Sequence, residues 1–189
     1  MKKTTPALHP ARLLPERMLP PYSYVPGKFP HPLRDPQGHS FGHQEPTIST
    51  SQIASWDKCE SYLWGIDLFN YGYYWEAHEA WEALWHAVGR SGTTADFCKG
   101  LIKLAAAGVK AREGRTAGVE RHALRAKQLF DAVAAQLDNR EQRFMGLALQ
   151  TRADHAQALI DNPSGIIDTS DAPVVVVMPF AIEFAADPS

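Results

Sequence analysis

Between residues 119 and 137 the apolar positions Val119, Ala123, Ala126, Phe130, Val133 and Leu137 recur at intervals of three and four. That period winds them into one stripe of an amphipathic helix. Upstream, Phe97, Leu101, Leu104, Ala105 and Gly108 form a stripe of apolar and small residues that lets a neighbouring helix approach closely, and Thr93 with Asp96 resembles a capping box at its start. A further helix is predicted over residues 74–88, with Glu76 near the positive end of the dipole and Gly89 as its stop. Another starts after Ser49, Thr50 or Ser51, carries Ile53, Trp56, Leu63 and Ile66, and ends at Asn70 to Gly72. The last runs from about Arg140 to Ile160, carries Phe144, Leu147, Ala148 and Leu159, and stops before Asn162-Pro163.

The two ends of the chain obey other patterns. Ten of the 14 prolines lie in the first 46 residues, which forbids long helices there. Yet Tyr22, Tyr24, Phe29 and Phe41 give this stretch enough apolar surface to adhere to a body. At the other end, Val174 to Val177 sit between prolines and favour an extended conformation without a hairpin partner, which leaves them to pair with the arm or with a second subunit. The expected fold is therefore all-α: a compact bundle of four to five helices over residues 51–162, with a proline-rich wrapping arm at 1–50 and an extended tail at 163–189. The unpaired tail also predicts a homodimer.

Composition narrows the classes. With 189 residues, 44% of them hydrophobic, the chain suits one domain. Nineteen basic against 21 acidic residues give a net charge of -2, so nothing favours nucleic acid or an anionic membrane globally. Cys59 and Cys98 form no zinc pattern and read as reduced, buried thiols. Pro6, Pro10 and Pro15, with His9 and Arg12, interrupt what would be the apolar part of a signal peptide, and the apolar stretch 172–186 is broken by Pro173, Pro179 and Glu183. A soluble, cytoplasmic protein is expected.

The candidate chemistry is concentrated in Tyr74-Trp75-Glu76-Ala77-His78-Glu79-Ala80-Trp81-Glu82-Ala83-Leu84-Trp85-His86. At roughly 100° per residue, Trp75, His78, Glu79, Glu82, Trp85 and His86 share one side and Ala77, Ala80, Trp81, Leu84 and Val88 the other. Apolar bulk on both sides predicts burial on both, so the polar groups need partners. His78 and Glu82 have the i, i+4 spacing that converges on one ion, and His86 continues the row. In the arm, His31, His39 and His43 could complete the shell of a divalent metal by folding over this helix. Glu79 then stands as the candidate catalytic base for metal-assisted hydrolysis. The pattern is not the HExxH of zinc proteases, and the chain lacks any Glu-x-x-His, which disfavours a di-iron carboxylate bundle.

The run from Phe69-Asn70-Tyr71-Gly72 through His78-Glu79-x-x-Glu82 to Trp85, followed by Gly100-Leu101-Ile102-Lys103-Leu104-Ala105-Ala106, closely resembles the helical family called domain of unknown function 309. The resemblance spans roughly Lys58 to Leu137 and implies a compact helical bundle without implying an activity. It does not extend to the arm or to the tail after Asn162. Where that family has uncharged residues, often glutamine, this chain has Lys99 and Lys103, which could neutralise Glu79 or Glu82.

Three readings of His78, Glu79 and Glu82 stand open: a packing network of hydrogen bonds and salt bridges, a metal site, or a metal-free site for a small ligand. Trp75, Trp81 and Trp85 read as packing residues. Lys99, Lys103 and Lys110 line a solvated or ion-paired face, or else the site of an anion. Against the binding readings stands a non-catalytic scaffold, whose His/Glu cluster fixes helix packing and whose arm and tail contact a protein partner.

Overall fold

The helical stripes are realised in the computed structural model of the chain, which describes residues 10–43, 48–137 and 143–185. A short α1 (Thr50–Ala54) precedes five long helices: α2 (Glu60–Asn70), α3 (Tyr74–Ala87), α4 (Thr93–Arg112), α5 (Thr116–Ala134) and α6 (Leu149–Asp161). Each long helix packs on the next in sequence, as short connections between neighbours favour. The all-α bundle expected from the pattern is what forms, and no helix among the described residues is long and apolar enough to cross a membrane. Val119, Ala123, Ala126, Phe130 and Val133 of α5 are all fully buried. Glycines set the depth of packing: a Cβ on Gly108 of α4 would lie 2.5 Å from the Tyr74 ring, and one on Gly65 of α2 would lie 2.2 Å from the Trp81 indole nitrogen. These two aromatics of α3 thus sit flush against bare helix backbone.

Three boundaries differ from expectation. The first helix is interrupted: Ser49 closes a capping box with Gln52, α1 ends at Ala54, a 3-10 turn spans Trp56–Lys58, and α2 starts after the extended Cys59. The interruption allows Ile53, Cys59 and Leu63 all to be buried, although a continuous helix would point Ile53 and Leu63 in different directions. No capping box opens α4. Gly92, at φ 89°, is its N-cap, while the Thr93 hydroxyl instead donates to Gln136 Oε1 at 2.8 Å. The last helix starts later than expected, and the expected start near Arg140 lies outside the described residues. Phe144, Leu147 and Ala148 belong to a small hairpin, β1 (Arg143–Phe144) against β2 (Leu147–Ala148), with Phe144 opposite Leu147. Met145 and Gly146 both have positive φ, the backbone of a tight two-residue hairpin turn.

Among the described residues the tail forms no regular strand. After a 3-10 turn at Pro163–Ile166 it runs extended, held by side chains of the bundle. Arg112 of α4, 3% exposed, donates to the carbonyls of Asp168 (2.8 Å), Ser170 (3.0 Å) and Ala172 (2.9 Å) and to the Asp168 carboxylate (2.6 Å). The Tyr74 hydroxyl accepts from the backbone N–H groups of Val177 (2.9 Å) and Met178 (3.1 Å). Asn70 exchanges two bonds with the backbone of Ile182, at 2.7 and 3.0 Å. The close approach of Val175 leaves no room for a Cβ on Gly72, which also has φ 89°. The tail touches the arm through Ser23 N–H to the Pro173 carbonyl, at 2.9 Å.

The arm is held in the same manner. Asp67 of α2, 2% exposed, accepts from the N–H groups of Leu13 (2.7 Å) and Leu14 (2.9 Å). Tyr22 stacks on Phe29, and the Tyr24 ring meets Trp75 edge-on at 4.9 Å. Phe41 is an exception to the expected adhesion, being 49% exposed.

His155 of α6 lies face to face on Phe180 of the tail, with ring centroids 3.9 Å apart and planes 12° from parallel. Burial, reinforced by the neighbouring Arg152, pushes its imidazole down to about 4. The unfolded chain therefore takes up a proton at His155 at higher pH than the folded one, so this contribution is complete above the ordinary histidine range and is lost as pH falls towards 4. The melting temperature is expected to fall between about pH 7 and about pH 5. His155→Phe, which keeps the stack and removes the titrating ring, should reduce that slope in melting curves recorded across this range.

Candidate functional site

Helix α3 turns four kinds of side chain to four sides. Tyr74, Ala77, Trp81 and Leu84 form its buried stripe. His78 and Glu82 lie on the flank towards α4, Glu76, Ala80 and Ala83 on the flank towards the arm, and Glu79 on the ridge between them. The expected burial on both sides is thus met in part, because His78, Glu79 and Glu82 are only half-buried and His86 is exposed. Among the described residues, His78, Glu79 and Glu82 alone form a group of three or more histidine, cysteine or acidic donors, with all ligand atoms within 4.8 Å of one another. His78 Nδ1 stands 3.3 Å from Glu79 Oε1, already close to the donor spacing around a small divalent ion, about 3.4 Å for a tetrahedron with bonds near 2.1 Å. The Trp75 ring lies nearly parallel to the imidazole of His78, 16° from coplanar, and backs it.

The other candidate ligands lie elsewhere. His86 Nδ1 accepts from the Arg90 guanidinium at 2.8 Å. His31 packs edge-on to Trp75, and its Nδ1 faces the Leu33 N–H at 3.2 Å. His39 reaches α3, but at Glu76: its Nε2 lies 3.1 Å from Glu76 Oε1 and its Nδ1 lies 2.9 Å from the Ser40 hydroxyl. His43 lines a half-open cavity of about 260 Å³ between the arm, α2 and α3, whose walls include Trp64, Leu68 and Trp75 and which Glu79 also lines.

Glu76 acts as more than the dipole residue that the sequence suggested. Its carboxylate accepts from the Tyr24 N–H at 2.9 Å and from the Ser23 hydroxyl at 3.2 Å while meeting His39. The sequence signal for this role was an acid in the first helical turn beneath an arm containing histidine and serine, which does not specify which backbone groups it takes.

On the α4 side, Lys103 lies close enough to Glu82 for the two charges to interact. Burial first, and then Lys99 and Arg125, depress the Lys103 ammonium below its ordinary value, and Glu82 opposes them. The His122 imidazole on α5 is pushed down to about 4 by burial, then by Lys103, Arg121 and Lys110. The Lys99 ammonium lies over the Trp85 ring, 5.2 Å from its centroid. Lys103 and Glu82 influence each other's charge without forming a salt bridge, and Lys99 sits over an indole.

Fold and site together define a small helical bundle that carries a ridge-mounted His/Glu triad between an aromatic cavity and a cationic flank. Residues 62–122, from α2 into α5, match the family model described as Domain of unknown function (DUF309), so the resemblance read from Asn70-x-Gly72, the His78-Glu79-x-x-Glu82 helix and Gly100-Leu101-Ile102 holds across that span. No curated protein and no solved structure matches the chain.

Removing the Glu76 acceptors should release the arm. Glu76→Ala is expected to destabilise the fold by roughly 2 kcal/mol, since it leaves buried donors unsatisfied. It should also speed proteolytic cleavage within residues 22–43 relative to cleavage in α4 and α5. Thermal melting and timed limited proteolysis would measure both effects, and an arm cut no faster than in the parent would show that Glu76 does not hold it.

Proposed function

We propose that the protein binds a divalent metal ion through His78 and Glu82, with Glu79 beside the ion as the base for a bound water, next to a cavity that accepts the apolar part of a small ligand. The observation that carries this reading is the convergence of the three groups within 4.8 Å on one side of α3. Imidazole and carboxylate together suit zinc and neighbouring first-row ions, and water would fill the remaining positions. Glu79 also borders the cavity. There it would accept a proton from a water at the site, as metal-assisted hydrolysis requires. His43, which lines the same cavity, is the arm histidine that would add a ligand; His39 has both ring nitrogens committed to Ser40 and Glu76, and His31 and His86 each have Nδ1 committed, to the Leu33 N–H and to Arg90.

A scaffold reading is favoured by one observation, the proximity of Lys103 to Glu82, which offers that carboxylate a counter-charge without any ion. Elemental analysis of untagged protein purified under metal-replete conditions separates the two. With a metal site, the parent carries stoichiometric metal, His78→Ala and Glu82→Ala lose it while keeping their helical content, and Glu79→Gln keeps metal but loses any hydrolytic activity. With a packing network, the parent carries none, and His78→Ala or Glu82→Ala lowers stability by about 1–3 kcal/mol. That second pattern overturns the metal reading.

A further inference from the structure

The flank of α3 that faces α4 and α5 holds a concentration of positive charge that the metal reading leaves unused. Lys99 and Lys103 are one turn apart on α4, and Arg121 and Arg125 are one turn apart on α5. At i, i+4 spacing like charges repel and weaken a helix. Packing α4 on α5 brings the two pairs together: Lys99, Arg121 and Arg125 all lie near enough to act on the charge of Lys103, and Glu82 is the one anion that does so. Lys110, on the same helix, is neutralised by Glu113 at 2.8 Å. Lys103 is half-buried and forms neither a hydrogen bond nor a salt bridge among the described residues. The four cations outnumber Glu82 and the adjoining Glu79, whose ligand atoms lie within 4.8 Å of each other, so positive charge is in surplus beside α3 in a chain whose net charge is -2. The spot lies where α3, α4 and α5 meet, with the Lys99 ammonium over Trp85 at 5.2 Å and the Arg125 guanidinium 3.2 Å from the Gln128 side-chain oxygen.

We propose that this flank is a binding site for a single phosphate-type oxyanion, with Lys103 at its centre and Lys99, Arg121 and Arg125 around it. Guanidinium forks and ammonium donors match the several oxygens of such an anion. A long polyanion would need an extended basic surface, and the overall negative charge gives none. The site goes beyond the metal reading and does not depend on it, although an anion bound here would lie next to Glu82, across the triad from the cavity.

The test is calorimetric titration of the full chain with inorganic phosphate at fixed, physiological ionic strength, once after treatment with a chelator and once after loading with zinc. Saturable binding at one site in the chelated protein is expected. Lys103→Met, which keeps the apolar stem, should weaken it by about tenfold or more, the loss of one charge-assisted contact. Arg121→Gln and Arg125→Gln should weaken it less, with unchanged circular dichroism. Lys127→Met, which changes the net charge equally but removes the ion pair with Asp131 elsewhere on α5, should leave affinity unchanged. An equal loss in Lys127→Met would reduce the effect to diffuse electrostatics and overturn the proposal. So would zinc uptake without phosphate binding, an outcome that leaves the metal reading intact. Phosphate binding that requires zinc and ignores Lys103→Met places the anion on the metal, and it too overturns a site on this flank.

Discussion

An extended chain lying on a helical bundle has backbone N–H and C=O groups that neither helix nor sheet can satisfy, and once covered they must find partners. In this protein the partners are a few buried polar side chains that point out of the helices. Asp67 takes two N–H groups of the arm, Glu76 takes another together with Ser23 and His39, Tyr74 and Asn70 take N–H groups of the tail, and Arg112 takes three tail carbonyls. Each polar side chain satisfies its own burial in doing so. The aromatic contacts of the arm and the cavity beneath it depend on these bonds, because they fix where the proline-rich segment lies.

The long helices were legible because period and burial coincide. Every apolar position of the stripe from Val119 to Val133 is in the core, and the end of α3 follows from Gly89, which adopts the left-handed backbone at φ 79°. The interruptions were harder to see. Nothing in Ser55-Trp56-Asp57-Lys58 breaks a helix intrinsically; tertiary burial of both Ile53 and Cys59 does so. Phe144, Leu147 and Ala148 fit a helical period over so short a run, and the Met145-Gly146 turn that assigns them to a hairpin carries a weaker signal than Asn-Gly would.

The site was legible as a local spacing and obscure as an assembly. His78, Glu79 and Glu82 converge because spacing on one helix is fixed by helical geometry alone. The arm histidines depend on the path of an irregular segment, and that path is set by Glu76 and Asp67, whose roles are not encoded in any short motif. Asn70-x-Gly72 shows the same difference: the sequence suggests a helix stop, and only the fold reveals that Asn70 pairs with Ile182 and that Gly72 makes room for Val175. The cationic flank likewise needed α4 and α5 side by side before separate lysines and arginines became one field.

The placement of the hooks also bears on the order in which the molecule assembles. Asp67, Asn70, Tyr74 and Glu76 lie within residues 67–76, at the junction of two adjacent helices, whereas the backbone groups they hold are 52 to 112 residues away along the chain. A helical hairpin of α2 and α3 closes a short loop and can form early, but arm and tail must close much longer ones and gain contacts only when the receiving side chains are already in place. Docking of the two ends is therefore a late event in folding and an early one in unfolding. Changes confined to the docked segments should act on the rate at which the native state opens and leave the rate of bundle formation nearly untouched.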